Sequence, residues 1–442
     1  MRTTTIGCGY LGATHAACMA EIGYDVLGLE VDPAKLELLR KGIAPVYEPG
    51  LSEMLATHVA SGRLRFTDSY EEAAAFGEIH FLCLGTPQAR DGLGADVSQV
   101  EYAVAHLAPH LTGSPILVGK STVPVGTAQR MADLVASLAP AAGVEVAWNP
   151  EFLREAHAVE DTLRPDRIVF GVRSEATEER LREFFAPVID HGMPVLVTDY
   201  PTAELVKVTA NSFLATKISF INAMAELCEA TGADVTLLAD AIGHDARIGR
   251  RFLNAGLGFG GGCLPKDIRA FMARAGELGV DQALSFLREV DSINLRRRVR
   301  MVDLAREECH GSIVGRKVAV LGAAFKPDSD DVRDSPALSV AAQMSLQGAQ
   351  VVVTDPRAVE NARIRWPDLK FASSPEEAAA DAELVLLLTE WPEYVAIDPH
   401  ELGAVVRRRR ILDGRNALDP ERWTAAGWTY RALGRRSAPL DA

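Results

Sequence analysis

Three groups of residues have types and spacings that can do chemistry. The first surrounds Cys263, in the run Phe259-Gly-Gly-Gly-Cys-Leu-Pro-Lys-Asp267. Glycines carry no side-chain bulk, so Gly260 and its two successors predict a loop that a ligand can approach closely. Lys266 is a cation that favours the thiolate, and Asp267 is a carboxylate that can take or hold a proton. A thiol so placed can trap an aldehyde as a thiohemiacetal, and loss of a hydride then gives a thioester. A buried cysteine beside an ordinary loop is the plain alternative. The second group is Lys207 and Asn211, four residues apart in a stretch of helical period and so on one face. A cation and an amide side by side can hold a developing alkoxide or oxyanion, although an exposed polar stripe has the same pattern.

The third group is Gly7-Cys8-Gly9-Tyr10-Leu11-Gly12. Gly7 permits a tight turn, Gly9 lets a pyrophosphate approach the backbone, and Gly12 lets a helix pack on a strand. The helix start then offers free N–H groups and a positive dipole end to the phosphates. Glu30 ends the next strand, where an acid hydrogen-bonds the adenosine ribose and repels a 2′-phosphate. Asp32 is a rival for that role.

These residues need elements to position them. The first 200 residues alternate short apolar runs with helical stretches. The predicted strands are Thr3–Gly7, Asp25–Glu30, Ile79–Leu84, Pro115–Lys120, Val144–Trp148, Arg167–Val172 and Pro194–Asp199. Such alternation predicts a parallel sheet with helices on both faces. From Thr202 to Glu307 no strand is predicted, and Ala203–Thr231 reads as one long helix. Alternation resumes at Lys317–Gly322, with further strands at Gln350–Thr354, Leu384–Leu388 and Arg410–Leu412. The second α/β region has no GxGxxG, so it need not bind a dinucleotide. The basic run Arg407–Arg410 reads as a solvated face.

The 442 residues carry 46 Lys plus Arg against 60 Asp plus Glu, a net charge of −14. The acidic balance argues against nucleic-acid binding. No apolar run is long enough for a membrane span, and the N-terminus lacks a signal-peptide core. Six scattered cysteines without a CxxC pair predict a reducing, cytoplasmic protein with no metal site and no disulfide frame.

Further blocks accompany the turn and the cysteine loop: VYEPGL at 46–51, Gly85-Thr86-Pro87, KSTVPVGT at 120–127, and NPEFLREAHAVEDTLRPDRIV at 149–169. AELVKVTANSFLATKISFINAMAELCE at 203–229, HDARIG at 244–249, LGAAFKPDSDDVRDSP at 321–336 and DGRN at 413–416 complete them. Over essentially its whole length the chain resembles the UDP-glucose/GDP-mannose dehydrogenase family. The resemblance implies two Rossmann-like doubly wound α/β domains joined by a helical middle domain with a long central helix. Residues 1–200 would bind NAD, 201–308 would form a helical dimerising domain, and 309–442 would bind the nucleotide sugar.

It also implies an NAD-dependent four-electron oxidation at C6 of a nucleotide sugar. Cys263 would be the nucleophile and Asp267 a proton-transfer residue. Thr122 would hold a catalytic water, Lys207 and Asn211 the oxyanion, and Glu151 would be a base for thioester hydrolysis. Thr86, Thr122, Glu155, Lys266 and Arg333 join Gly7, Gly9, Tyr10, Leu11, Gly12 and Glu30 on the cofactor side. Phe152, Leu153 and Arg154, with Glu151, Lys207 and Asn211, would line the sugar pocket, as would Phe259, Gly260 and Lys326, and Arg415 would contact the nucleotide. Arg247 would reach the neighbouring subunit's sugar in a homodimer or higher oligomer. The run ATKISFIN resembles the UDP-glucose branch, so UDP-glucose is the expected substrate and UDP-glucuronate the product. Two positions depart from that branch: Gly262 stands where serine is common, and Glu30 where aspartate is usual. A GDP-mannose or UDP-N-acetylhexosamine 6-dehydrogenase would share the mechanism. A one-step β-hydroxyacid dehydrogenase and a non-catalytic nucleotide-sugar sensor are the readings from other classes.

Because Glu30 has no neighbouring arginine to neutralise a 2′-phosphate, turnover with NAD is expected to exceed turnover with NADP. Parallel assays of NADH and NADPH formation test this, and equal rates would contradict it.

Overall fold

The computed structural model describes residues 1–435. The apolar runs of the first 200 residues form one sheet. Its strands are β1 (Arg2–Ile6), β2 (Asp25–Leu29), β3 (Leu64–Thr67), β4 (Ile79–Leu82), β5 (Ile116–Gly119), β6 (Glu145–Trp148), β7 (Ile168–Gly171) and β8 (Val195–Thr198). They lie in the order β3-β2-β1-β4-β5-β6-β7-β8. Strands β4 and β5 are buried along their whole length, because helices cover both faces. β3 has no counterpart among the predicted strands: Arg65, exposed in its middle, interrupts the apolar run of an edge strand.

The sheet departs from the fully parallel expectation at one junction. β7 meets β6 antiparallel, through Trp148 and Gly171, and β8 then runs parallel to β7. The connection from β6 to β7 holds only the six-residue helix Ala158–Leu163. It turns the chain back beside β6, where a parallel neighbour would need a full crossover.

The C-terminal region forms a second, wholly parallel sheet of β9 (Lys317–Leu321), β10 (Gln350–Thr354), β11 (Lys370–Phe371), β12 (Leu384–Leu387), β13 (Arg410–Asp413) and β14 (Thr429–Ala432). Its order is β11-β10-β9-β12-β13-β14. The unpredicted strands are again the edges: β11 has two residues and β14 mixes polar with apolar ones. In the basic run, Arg409 donates to the Gly403 and Ala426 carbonyls and Arg410 to that of Glu308. These two side chains therefore pin the turn before β13 rather than simply facing solvent.

Between the sheets the chain is helical. The helix Tyr200–Thr231 has 32 residues and is followed by Val235–Gly243, Leu264–Glu277 and Ser285–Glu308. The chain gathers into two compact units, Met1–Ala210 with Arg269–Asp281, and Asn211–Ile268 with Gln282 onward. The long helix begins in the first unit and continues in the second.

Each unit anchors its helices by buried polar contacts. In the first, Glu204 is 1% exposed, and its carboxylate accepts from the backbone N–H groups of Gly126 (2.7 Å) and Ala128 (2.6 Å). It thus caps the helix Thr127–Leu138 and ties the 120–127 segment to the start of the long helix. In the second, fully buried Arg297 pairs with Glu229 at 3.1 Å, and Asn222 accepts from the N–H of Gly256 at 2.9 Å. No helix among the described residues is long and apolar enough to cross a membrane.

Candidate active site

The dinucleotide turn follows β1. Gly7 has φ +83°, and a Cβ on Gly12 would lie 1.8 Å from the Gly7 carbonyl oxygen, so the helix Tyr10–Glu21 can pack here only on glycine. A Cβ on Gly9 would meet nothing within 4 Å. No side chain caps that helix, so its first N–H groups stay available to a phosphate. Tyr10 and Leu11 open it. These features fit the pyrophosphate of NAD.

Glu30 is buried, and its two carboxylate oxygens accept from the N–H groups of Cys8 (3.1 Å) and Asp32 (3.0 Å). Its longer side chain reaches back to the glycine turn and retains lone pairs for ribose hydroxyls. The Asp32 carboxylate instead caps the helix Pro33–Arg40 through Ala34 and Lys35. At the other strand ends, the Thr86 hydroxyl donates to the Thr122 carbonyl at 2.7 Å, which joins these two predicted residues.

In the same unit, Lys207 is 5% exposed, and its ammonium lies 3.4 Å from the Glu151 carboxylate. The other Glu151 oxygen accepts from the N–H of Leu153 at 2.5 Å. The Phe152 ring meets two cations, with Arg167 at 3.7 Å and Lys207 at 5.7 Å from its centre. Arg154 is turned to Asp161, which accepts from its backbone N–H and its guanidinium.

Glu48 is a residue whose role sequence reasoning missed. It is buried, accepts from the Tyr10 hydroxyl, and accepts from the N–H groups of Ala156 (2.8 Å) and Ala158 (2.7 Å). It therefore fastens the end of the segment that carries Glu151 and Glu155. Burial, then the Glu48 carboxylate, push the Tyr10 hydroxyl far above its usual range, so it stays a donor. The only signal in the sequence was an acid directly before Pro-Gly in VYEPGL.

In the second unit, Cys263 directly precedes the helix Leu264–Glu277 and is exposed. The positive end of that helix favours an anionic sulfur. Asp267 is 2% exposed and accepts from Asn211 Nδ2 at 2.6 Å and from Lys266 Nζ at 2.5 Å. Lys207 and Asn211 thus share a helix face as predicted, yet each is held by its own carboxylate.

The absence of side chains on the glycines before Cys263 makes room for the protein itself. A Cβ on Gly260 would lie 2.4 Å from the Asp334 carbonyl, one on Gly261 2.8 Å from the Phe325 ring, and one on Gly262 2.2 Å from the Arg333 guanidinium. The protein's own 325–334 segment fills that space. Gly261 donates to the Arg333 carbonyl at 2.9 Å, and Asn294 brackets Phe259 with hydrogen bonds of 2.7 Å and 3.0 Å. A serine at 262 would require the Arg333 side chain to move.

Arg415 donates to the carbonyls of Leu388, Gly258 and Phe325, so its guanidinium braces this loop. Lys326 lies 5.7 Å from the Phe325 ring centre. Arg247 points outward with its side chain 89% exposed and paired to Asp245.

A dinucleotide turn, and an exposed cysteine at a helix start with a buried, doubly held carboxylate one turn on, are parts of an NAD-dependent dehydrogenase. Residues 1–189 match the NAD binding domain of the UDP-glucose/GDP-mannose dehydrogenase family, residues 201–296 its central domain and residues 319–420 its UDP binding domain. The chain belongs to this family. A UDP-glucose 6-dehydrogenase of Rhizobium meliloti is 41% identical over 98% of this chain and 100% of its own length. The solved structure of a UDP-glucose dehydrogenase from Pyrobaculum islandicum is 38% identical, with a TM-score of 0.89 over 100% of this chain and 98% of that one. That of a UDP-D-ManNAc dehydrogenase from Pyrococcus horikoshii is 25% identical, with a TM-score of 0.86 over 98% and 99%.

The Glu48 contacts give a direct expectation. Glu48→Ala removes the carboxylate that holds the Ala156 and Ala158 N–H groups, leaving Ala156 the longer bond to the Tyr10 hydroxyl at 3.2 Å, so exchange, most of all at Ala158, is expected to speed up by about tenfold or more, the equivalent of roughly 1.4 kcal/mol of local opening. Exchange mass spectrometry on peptides spanning 152–160 measures it.

Proposed function

We propose that the protein oxidises UDP-glucose at C6 to UDP-glucuronate, through a thiohemiacetal and a thioester on Cys263. The observation that carries this reading is the pairing of an exposed Cys263 at a helix start with a buried Asp267 held by Asn211 and Lys266. A one-step alcohol dehydrogenase has no use for that cysteine, and a sensor has no use for the buried lysine–carboxylate pair. Identity of 41% and 38% to proteins named for UDP-glucose, against 25% for one named for UDP-D-ManNAc, supports glucose as the sugar.

In this reading one alcohol, two NAD⁺ and one water give one carboxylate, two NADH and three protons. NAD, when bound, accepts the hydride of each oxidation. The Gly7–Gly12 turn would hold it, with Glu30 toward the ribose and Thr86, Thr122, Glu155, Lys266 and Arg333 on the cofactor side. A water held by Thr122 and Asp267 takes the proton of the C6 hydroxyl and passes one of its own to the Asp267 carboxylate, and the Lys207 ammonium and Asn211 amide steady the oxyanion. The Cys263 sulfur adds to the aldehyde carbon. After the second oxidation, water adds to the thioester carbon and gives a proton to Glu151. The carbon–sulfur bond then breaks with its electron pair on the sulfur. The sugar would be lined by Phe152, Leu153, Arg154, Phe259, Gly260 and Lys326, with Arg415 toward the nucleotide. Residues 1–200 would hold NAD, 201–308 would join subunits and 309–442 would hold the UDP moiety.

The protein would work in the reducing cytoplasm, since Cys263 would act as a reduced thiol or thiolate. It would work as a homodimer or a larger assembly. Phe213, Phe220 and Leu227, at heptad spacing on the long helix, are 66%, 50% and 57% exposed, an apolar stripe that a second copy would cover. Arg247, directed outward, would then serve the neighbour's sugar.

Four measurements test the chemistry and the assembly. Two NADH per UDP-glucose are expected, whereas one NADH would mean a simple alcohol dehydrogenase and none a sensor. Cys263→Ser is expected to bind both ligands normally and lose nearly all steady-state NADH, with a covalent ester visible by intact mass. Lys207→Ala is expected to slow both steps by about 10²-fold, the scale for losing one oxyanion donor. Specific activity is expected to follow dimer concentration in sedimentation, and a fully active monomer would refute the assembly.

A further inference from the structure

The dinucleotide helix and the segment that carries Glu151 meet at one point in the first unit. After β6, the Asn149 N–H still donates to the Gly119 carbonyl at 2.8 Å, and order resumes in the helix Ala158–Leu163. Between them residues 150–157 form neither strand nor helix. The near end is fixed at Glu151, by Lys207 and the Leu153 N–H. The far end is fixed at Ala156. Its N–H donates to Glu48 Oε2 at 2.8 Å and to the Tyr10 hydroxyl oxygen at 3.2 Å. The Tyr10 hydroxyl donates to the same Glu48 oxygen, and the other Glu48 oxygen accepts from the Ala158 N–H. The three groups close a triangle of one phenol, one backbone amide and one carboxylate that only accepts.

Ala156 needs such a hold. Its φ is +68°, in the left-handed region where a Cβ crowds the backbone and glycine is favoured. An alanine persists there when its surroundings fix it. The atoms that do so stand on a firm base. Tyr10 opens the helix Tyr10–Glu21, and Glu48 lies in the turn before the helix Leu51–Ala60. Leu51 and Leu55 of that second helix are fully buried in one cluster with Ala13, Ala16 and Ala17 of the first.

We propose that Tyr10 is a positioning residue for the sugar segment: with Glu48, its hydroxyl holds Ala156 in the left-handed conformation and so sets the course of residues 151–155. The proposal rests on the reading above, in which Phe152, Leu153 and Arg154 line the sugar. The resemblance puts Tyr10 on the cofactor side, but its two parts serve different ends. A pyrophosphate at a helix start is held by backbone N–H groups, which almost any residue supplies. The phenol is turned to the loop. A change confined to the hydroxyl therefore separates the two roles.

Tyr10→Phe removes that hydroxyl and keeps the ring. Calorimetric titration of the full-length protein with UDP-glucose is expected to show binding about tenfold weaker, the scale for losing one hydrogen bond to a charged group. Titration with NADH is expected to be unchanged. In steady state the KM for UDP-glucose rises while that for NAD⁺ stays. Equal UDP-glucose binding overturns the proposal. So does a loss of both affinities alike, which would mean that the change merely loosens the fold.

Ala156→Gly supplies a residue at ease at this φ. Added to Tyr10→Phe, it is expected to recover most of the UDP-glucose affinity, and a double variant as weak as Tyr10→Phe refutes the idea. Hydrogen exchange of the unaltered protein without ligands keeps the test independent of whether the variants fold. The Ala156 amide is expected to exchange at least about tenfold more slowly than in an unstructured peptide, and the unprotected rate rules the latch out. If the unaltered protein binds no UDP-glucose, the functional reading falls and this proposal with it. If it binds and Tyr10→Phe binds as well, only this proposal falls.

Discussion

Lys207 must be buried without stranding its charge, and much of the first unit follows from that constraint. An ammonium taken out of water loses several kcal/mol of hydration, by order of magnitude, unless an anion and good geometry replace it. Glu151 supplies the anion at 3.4 Å and Phe152 a ring face at 5.7 Å. Glu151 therefore cannot drift: its second oxygen is held by the Leu153 N–H, and its loop is fastened further on by Glu48. One turn along the same helix, Asn211 repeats the logic for an anion in the second unit. It gives Asp267, almost wholly buried, one of its two donors. A pair of residues that looks like a simple polar stripe is thus a cation and an amide, each locked to a separate carboxylate.

Loops that carry function are held here by side-chain groups that bond a distant backbone. Glu204 reaches Gly126 and Ala128, Glu48 reaches Ala156 and Ala158, and Asn294 reaches Phe259. The two glutamates satisfy N–H groups at helix starts that would otherwise be buried and unpaired, and their charge makes these bonds strong. They also confer rigidity on segments that have no ladder of their own. The cost is that each carboxylate sits in a poorly hydrated place. Burial accordingly raises the Glu204 pKa against the pull of its backbone donors.

The two sheets show one plan put to different ends. In each, an acid at or just past the end of the second strand turns back to the loop after the first strand. Glu30 accepts from one N–H there, that of Cys8, while Asp355 accepts from two, those of Ala323 and Ala324, and from the Trp391 indole as well. Glycines open the first loop to a pyrophosphate. In the second sheet the same N–H groups are already consumed, which gives a physical reason why a related architecture there has no dinucleotide turn.

Local chemistry was enough to determine a good part of this protein. The order of strands and helices, the long helix, the glycine turn with Glu30, and the Cys263-Lys266-Asp267 run are all legible in the sequence. Each depends on residues within one turn or one strand of each other, where period and spacing dictate geometry. Contacts distant in sequence were not legible. Nothing in the run of residues announces that Glu48 holds Ala156, that Asn294 clamps Phe259, or that the glycines before Cys263 make room for Phe325 and Arg333. The edge strands β3, β11 and β14 escaped because half-exposed, mixed strands carry weak patterns, and the antiparallel junction at β7 escaped because pattern is blind to direction. The choice between Glu30 and Asp32 shows the difference most simply. Both are acids near the end of β2, and only the path of the backbone makes Asp32 a helix cap while turning Glu30 toward the glycine turn.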